Sequence, residues 1–325
     1  MKTLADIGEV ALLKRIGGIC GSPFPGVAIG VGDDAALIEG LGGGMAVSTD
    51  LIVEGEDFSL EWAGFRDIGH KAAAVNLSDM AAMGAQPRGL VLGIAASADT
   101  GVRDLLDLVK TVNRVGRRFG APLVGGDLSG IEGPLTVSVT VFGQVAPPVA
   151  LRRFGGREGE NVVVTGTLGR AAAGLALLMK GEVGPSSLMR AQLRPEPQVR
   201  LGLGLGKSGL VSSCADLSDG LLSDVVHVLA PGCGVTLFPR EIPLARGMER
   251  VASKLGGSAL EWAVTGGEDF ELVMTVSDSN LGAVFGIGKE QGVRMSVVGR
   301  VNGTMGIDFP VDSSINLKVF EHFRR

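Results

Sequence analysis

Carboxylates beside glycine, serine or threonine recur at the edges of apolar segments: GDDAA (32–36), STD (48–50), LSD (77–79), GGD (125–127), DLSD (216–219) and GGED (266–269). Taken singly, each is an ordinary turn or helix cap, because Asp, Ser and Gly favour both. Six of them, each against a hydrophobic run, point to a shared chemistry. An oxygen-rich, nitrogen-poor donor set suits Mg²⁺, a hard cation held by a few carboxylates together with phosphate oxygens. Two segments echo each other. NLSDMAAMGA sets Asp79, and CADLSDGLLSDV sets Asp216, Asp219 and Asp224, where the hydrophobic pattern asks for core. Of these, Asp224 reads as a solvated helix residue.

Other chemistries find less support. LGLGLGKSG (201–209) nearly spells a phosphate-binding loop, but the first glycine of that pattern is Leu201. Gly204, Gly206 and Gly209 fit G-x-G-x-x-G, yet LRPEPQVR before them cannot be the buried strand that the fingerprint requires. His70, His227 and His322 are scattered and read as packing or surface residues, and no G-x-S-x-G is present. Cys20, Cys214 and Cys233 are an odd number without C-x-x-C or Cys/His spacing, which argues against a disulfide framework and a zinc site.

The acidic segments must be positioned by strands and helices, and the pattern supplies both. AIGVGDDAALI reads as strand, turn and strand, and MAVSTDLIV as a further strand. An alanine-rich helix is expected over 65–84, then a strand over RGLVLGIAAS. VRDLLDLVKTVNRVGRRFG repeats apolar residues at helical spacing and ends in Gly120, APLVGGDLSG reads as strand then glycine turn, and LTVSVTVFGQV as strand. Residues 5–16 carry another amphipathic pattern. After Pro147–Pro148 and the basic LRRFGGREGE a second cycle begins: strand NVVVT, helix RAAAGLALLMKG, helix PQVRLGLGLGKSGL, strand GVTLF, a loop entering strand in TGGEDFELVMTV, and strand MSVVGRVN. Alternating strands and helices in both halves give an α/β or α+β class with two domains, 1–148 and 149–325.

At 325 residues the chain is long enough for two domains, each with its own core, and 45% hydrophobic with 20% charged residues is a globular composition. Fifty-two glycines and no tyrosine imply an aliphatic core and many close backbone approaches. A net charge of -5 argues against a nucleic-acid partner but not against phosphate substrates, since metal ions can supply positive charge. No apolar run reaches the roughly 18–20 residues of a membrane span, and the N-terminal segment has no signal-peptide core. A cytoplasmic protein is expected.

In order, GVGDDAALI, STDLIVEGEDF, GHKAAAVNLSDMAAMGAQP, GGDLSG, DLSDGL and TGGEDFEL resemble the thiamine-monophosphate kinase family (ThiL) over nearly the whole chain. That family is a branch of the aminoimidazole ribonucleotide synthetase (PurM)-like superfamily, with selenophosphate synthetase and the hydrogenase maturation factor HypE. The resemblance implies an N-terminal α/β domain whose sheet pairs across a homodimer, a C-terminal α/β domain, and ATP in the cleft between them. It implies several Mg²⁺ ions at Asp34, Ser48, Thr49, Asp50, Asp79, Asp127, Asp216 and Asp219, of which Asp50, Asp79, Asp127 and Asp216 are the catalytic set. It also implies nucleotide contacts from Gly125, Gly126, Asp127, Arg153 and Ser218, and substrate contacts from Glu268 and Phe320. The chain departs from the family where a His before Phe58 is replaced by Asp57, an acid able to face a cationic thiazolium. The family's nucleotide-side Tyr falls near Val109, so adenine packing is expected to be apolar.

The implied reaction is transfer of the ATP γ-phosphate to thiamine monophosphate, the last step of thiamine diphosphate synthesis. The acceptor phosphate is mostly dianionic near neutral pH, its second pKa being about 6, and needs no general base. The obstacle is repulsion between two polyanions meeting in line, which metal-bridged phosphates relieve. Direct transfer without a phosphoenzyme follows. The alternatives are a selenophosphate synthetase, a HypE-type or purine enzyme, and a non-catalytic ATP-binding homologue. Cys20 in GGICGSP lacks the lysine pattern of the first, and the FEHFRR end lacks the cysteine of the second.

Overall fold

The computed structural model describes residues 27–29, 33, 35–38, 44–145 and 150–310. The helix expected over 5–16, the boundary prolines, Cys20, Asp34, Phe320 and His322 lie outside them.

The first half contains β1 (Val27–Ile29), β2 (Ala36–Ile38), β3 (Gly44–Val53), α1 (Phe65–Ala82), β4 (Gln86–Ala96), α2 (Val102–Arg118), β5 (Leu123–Gly130) and β6 (Thr136–Val145). Its six-stranded sheet runs β1-β2-β3-β6-β4-β5, antiparallel except for the β4–β5 pair. Strict alternation shapes β6: Val137, Val139 and Val141 are buried on the helix side while Ser138 and Thr140 face away. β3 pairs with β6 over ten consecutive residues, so the register of Ser48, Thr49 and Asp50 is fixed by the same alternation.

Helix α1 is the centre of the molecule. Its alanines and Ile68, Leu77 and Met80 are buried on nearly every side, against α2, the first sheet and elements of the second half. Small side chains allow those close approaches. On α5 (Val199–Ser208), a Cβ added at Gly202 would stand 2.1 Å from the Ala81 carbonyl of α1, so only glycine fits that crossing.

The second half adds β7 (Asn161–Thr165), α3 (Arg170–Met179), α4 (Ser186–Leu193), α5, β8 (Ser213–Asp216), α6 (Leu221–Asp224), β9 (Gly234–Leu237), α7 (Met248–Leu255), α8 (Ala259–Thr265), β10 (Leu272–Val276), α9 (Asp278–Glu290), β11 (Met295–Asn302) and β12 (Gly306–Asp308). Its sheet order is β12-β9-β11-β7-β10-β8. β7 and β10 are buried along their whole length because the sheet is covered on both faces. Val162 and Val164 join a core with Leu168, Leu177 and Val264, while Val163, Leu272 and Met274 join the core of the first half. The second core is local, but the first runs through α1 across both sheets, where the sequence suggests a separate core for each half.

No helix among the described residues is long and apolar enough to cross a membrane. One local expectation is corrected. Gly125, Gly126 and Asp127 are not a turn; they continue β5, paired in parallel register with Val91, Leu92 and Gly93.

Candidate active site

A cleft of about 540 Å³ lies between the halves, a size typical of small-molecule sites. Ser48 and Asp50 reach it from β3, because residues two apart on a strand share a face, and Thr49 therefore points to the other side. From α1 come Val75 and Asp79, four apart on one helical face. The opposite wall is Arg153, Asp216 at the end of β8, Ser218, Asp219 and the loop Gly266–Phe270.

Hydrogen bonds hold the first wall together. Ser48 Oγ donates to Asp79 Oδ2 at 2.5 Å, joining β3 to α1. Buried Asn76 accepts the Asp50 backbone N–H at 3.1 Å and donates to Ala72 O at 3.0 Å, locking the strand to the helix at the residue that carries the carboxylate. On the second wall the two acidic loops brace each other: Glu268 N donates to Ser218 O at 2.7 Å, and Phe270 N to Leu217 O at 3.0 Å. A Cβ at Gly267 would lie 2.4 Å from Ser218 O, which explains glycine there. Glu268 and Phe270 both hold positive φ, 68° and 49°, a conformation costing non-glycine residues about 1–3 kcal/mol that persists only where surroundings enforce it.

Those surroundings are buried carboxyls. Asp269 accepts the N–H groups of Ala171 (3.0 Å) and Gly169, capping α3 from across the chain, and burial pushes its carboxyl up to about 7. Glu271 is buried against Arg170 at 2.7 Å, Thr165 at 2.6 Å and Gln198 at 3.0 Å. Asp224 is a correction: it is buried, not solvated, and accepts the N–H groups of Asp219 (2.9 Å) and Gly220 (3.1 Å), fixing the turn that presents Asp219. Burial first, then the Asp219 charge, holds its carboxyl well above the usual range.

Across the cleft the charges are unbalanced. Burial, then the charges of Asp216 and Asp57, pushes Asp50 up to about 6, so carboxylates of the two halves repel each other. The oxygen donors among the lining residues are hydroxyls, carboxylates and the Gln192 amide, and no histidine or cysteine is among the described lining residues. Hard oxygen donors with surplus negative charge fit Mg²⁺. Among the described residues no three or more His, Cys, Asp or Glu side chains form a ready-made cage, so phosphate oxygens and water would complete any coordination.

Comparison with known proteins gives this arrangement a family. The sequence pattern described as AIR synthase related protein, N-terminal domain, matches residues 32–145, and its C-terminal counterpart matches 157–311. A thiamine-monophosphate kinase of Salmonella typhimurium is 34% identical over 327 residues, covering 97% of this chain and 98% of its own. The chain belongs to the thiamine-monophosphate kinase family. A solved family structure, AaThiL complexed with AMPPCP and TMP, superposes with a TM-score of 0.85 at 26% identity, covering 99% of each chain. E. coli HypE, a hydrogenase maturation protein, shares the fold at 22% identity and a TM-score of 0.68 over 83% of each chain.

Of the positions the family resemblance marks, the cleft gathers Ser48, Asp50, Asp57, Asp79, Arg153, Asp216, Ser218, Asp219 and Glu268. It does not gather Thr49, whose hydroxyl donates to Val139 O at 3.1 Å on the other face of the sheet. Gly125, Gly126 and Asp127 are exposed on the edge strand β5, three strand positions from β3, roughly 14 Å at the usual strand spacing. Val109 packs against the core from α2 and does not line the cleft. Asp57 has one carboxylate oxygen on Val53 N at 2.7 Å, closing the turn after β3.

Several cleft groups escape a reading of acidic motifs. Asp33, beside the marked Asp34, lines the cleft and accepts the Arg153 N–H at 3.3 Å. Trp62 and Gln192 line it as well. Lys71, almost wholly buried, donates to Asp57 O at 2.7 Å and pairs with Glu268. Lys71 had a signal: it precedes Val75 and Asp79 at steps of four on α1, and is a lone cation among alanines. Gln192 had none.

Proposed function

We propose that this protein transfers the γ-phosphate of ATP directly to thiamine monophosphate, giving thiamine diphosphate, with Mg²⁺ bound, in the cytoplasm and as a homodimer. The observation that carries this reading is the convergence of Ser48, Asp50 and Asp79 from one half with Arg153, Asp216, Ser218, Asp219 and Glu268 from the other around one cleft. Residues 1–148 and 149–325 are the two domains that supply its walls.

Each group has a task in this mechanism. Arg153 binds phosphate oxygens, and Ser218 orients the nucleotide beside them. Ser48, Asp50, Asp79, Asp216 and Asp219 would hold the Mg²⁺ ions, with Asp34 beside Asp33 completing the set; bound there, the ions neutralise the phosphates of both substrates. Asp224 and Asn76 keep Asp219 and Asp50 aimed inward. Glu268, held by Lys71, faces the thiamine end, where Asp57 and Phe320 contribute. The acceptor dianion attacks without a base, consistent with His70 being occupied by Pro195 O at 2.9 Å outside the cleft.

Gly125, Gly126 and Asp127 require a partner in this reading. Val124 and Leu128 on β5 itself, and Leu51 on β3 of the same sheet, are each more than half exposed. Two copies meeting through these sheets would bury that apolar surface and bring the partner's glycine-rich strand toward the cleft.

The test is a product assay with Mg²⁺ and ATP, offering thiamine monophosphate, the aminoimidazole ribonucleotide precursor and selenide in parallel. Thiamine diphosphate alone is expected. ATP binding with no product at high enzyme concentration would overturn the reading in favour of a non-catalytic homologue.

A further inference from the structure

One polar atom beside the cleft has no role in the chemistry described above. Gln192, on α4, is 1% exposed and lines the cleft, and its Nε2 donates to Glu268 Oε2 at 2.5 Å. That bond fixes the amide's orientation, because a carboxylate accepts and cannot donate. Its Oε1 is buried and meets no hydrogen-bond partner among the described residues. A buried acceptor without a donor is unfavourable in the free protein and becomes a recognition element once a ligand supplies one.

The surroundings narrow what that donor is. Lys71 occupies Glu268 Oε1, and Gln192 occupies Oε2, so the carboxylate is held from two sides and is not free to swing onto a small cation. Trp62 and Leu175 add apolar and aromatic surface to the cleft, suited to a flat ring. Left over in the Glu268–Gln192 pair are the Gln192 Oε1 acceptor and one Nε2 N–H, and a planar heterocycle with an exocyclic amine beside a ring nitrogen brings a donor next to an acceptor to such a pair.

Resting on the proposed function, we infer that Gln192 Oε1 accepts a hydrogen bond from the exocyclic amine of the substrate's aminopyrimidine, making Gln192 a specificity-determining residue. Lys71 is then a positioning residue that holds the Glu268–Gln192 pair from behind. A site built around an N–H donor rejects the analogue lacking it, because its own acceptor is left buried and unpaired.

The experiment compares thiamine monophosphate with its 4-oxo analogue, in which a carbonyl replaces the amine, in wild type, Q192M and Gln192→Asn. Wild type should prefer the amine by roughly tenfold or more in kcat/KM. Q192M should raise KM for thiamine monophosphate, leave KM for ATP unchanged and bring the amine/oxo ratio close to one. Gln192→Asn, one methylene shorter, should keep part of the preference. A purely structural role would lower both substrates equally, and an undiminished ratio in Q192M would overturn the inference. So would a wild type that uses both substrates alike, a result that stands even if the variants fold poorly. Failure of wild type on thiamine monophosphate itself would instead refute the function on which this rests.

Discussion

Replacing Asp50 by Asn should stabilise the metal-free protein while abolishing turnover. Burial, followed by the charges of Asp216 and Asp57, raises the Asp50 carboxyl from its ordinary 3.8 to about 6. At about 1.36 kcal/mol per pH unit, ionising it inside the folded cleft costs about 2–3 kcal/mol relative to the unfolded chain. The folded state grips the proton more tightly, so this contribution is intact below the unfolded value near 4. It declines as pH rises and is fully lost above about 6. The variant side chain is close in shape and neutral, and the backbone bond from residue 50 to Asn76 is untouched. Urea denaturation in EDTA between pH 4.5 and 8.5 should show D50N gaining on wild type as pH rises, by up to about 3 kcal/mol, with a plateau above pH 7. Saturating Mg²⁺ should reverse the order, because it adds binding energy to folded wild type alone. The reasoning is refuted if D50N is the less stable protein at pH 8 in EDTA, or if the difference does not move with pH.

Asp269 gives a second pH signature. Its carboxyl, pushed to about 7 by burial, contributes stability that is present below pH 4 and lost as pH rises to 7. D269N should remove that slope, worth up to about 4 kcal/mol over the window, as read from denaturation midpoints. A partner-supplied Asp127 predicts complementation: D50N and D127N should each be inactive alone. Mixed dimers reassembled one to one should recover about a quarter of wild-type activity, since half are heterodimers with one intact site each. No recovery, with mixed dimers demonstrated, would place Asp127 outside the partner's cleft.

Much of the architecture is legible because periodicity carries it. The valines of β6 alternate without exception, and α2 repeats at helical spacing until Gly120, so both elements can be read before any coordinates. The glycine-rich GGD segment misleads for a physical reason. Glycine favours turns, but an edge strand without covering side chains tolerates it too, and β5 is such a strand. Asp224 misleads differently. Its helical spacing beside Ser223 looks solvated, yet its burial depends on packing from elements distant in the chain, and local pattern holds no record of that.

What the sequence determined alone is the chemistry available: a repeated set of oxygen donors, few nitrogen ligands, and an ordered series of motifs specific enough to name a family. It also determined the strongly periodic strands and helices, such as β6 and α2, since those follow from the spacing of neighbours, but not α4, α7, α8, α9, β8 or β12. Tertiary structure decided which donors meet. It set Asp50 against Asp216 across 166 positions of chain, buried Lys71 and Gln192 behind Glu268, and left Asp127 on an outer edge. Those outcomes depend on α1 lying between two sheets, a long-range packing that no local spacing encodes.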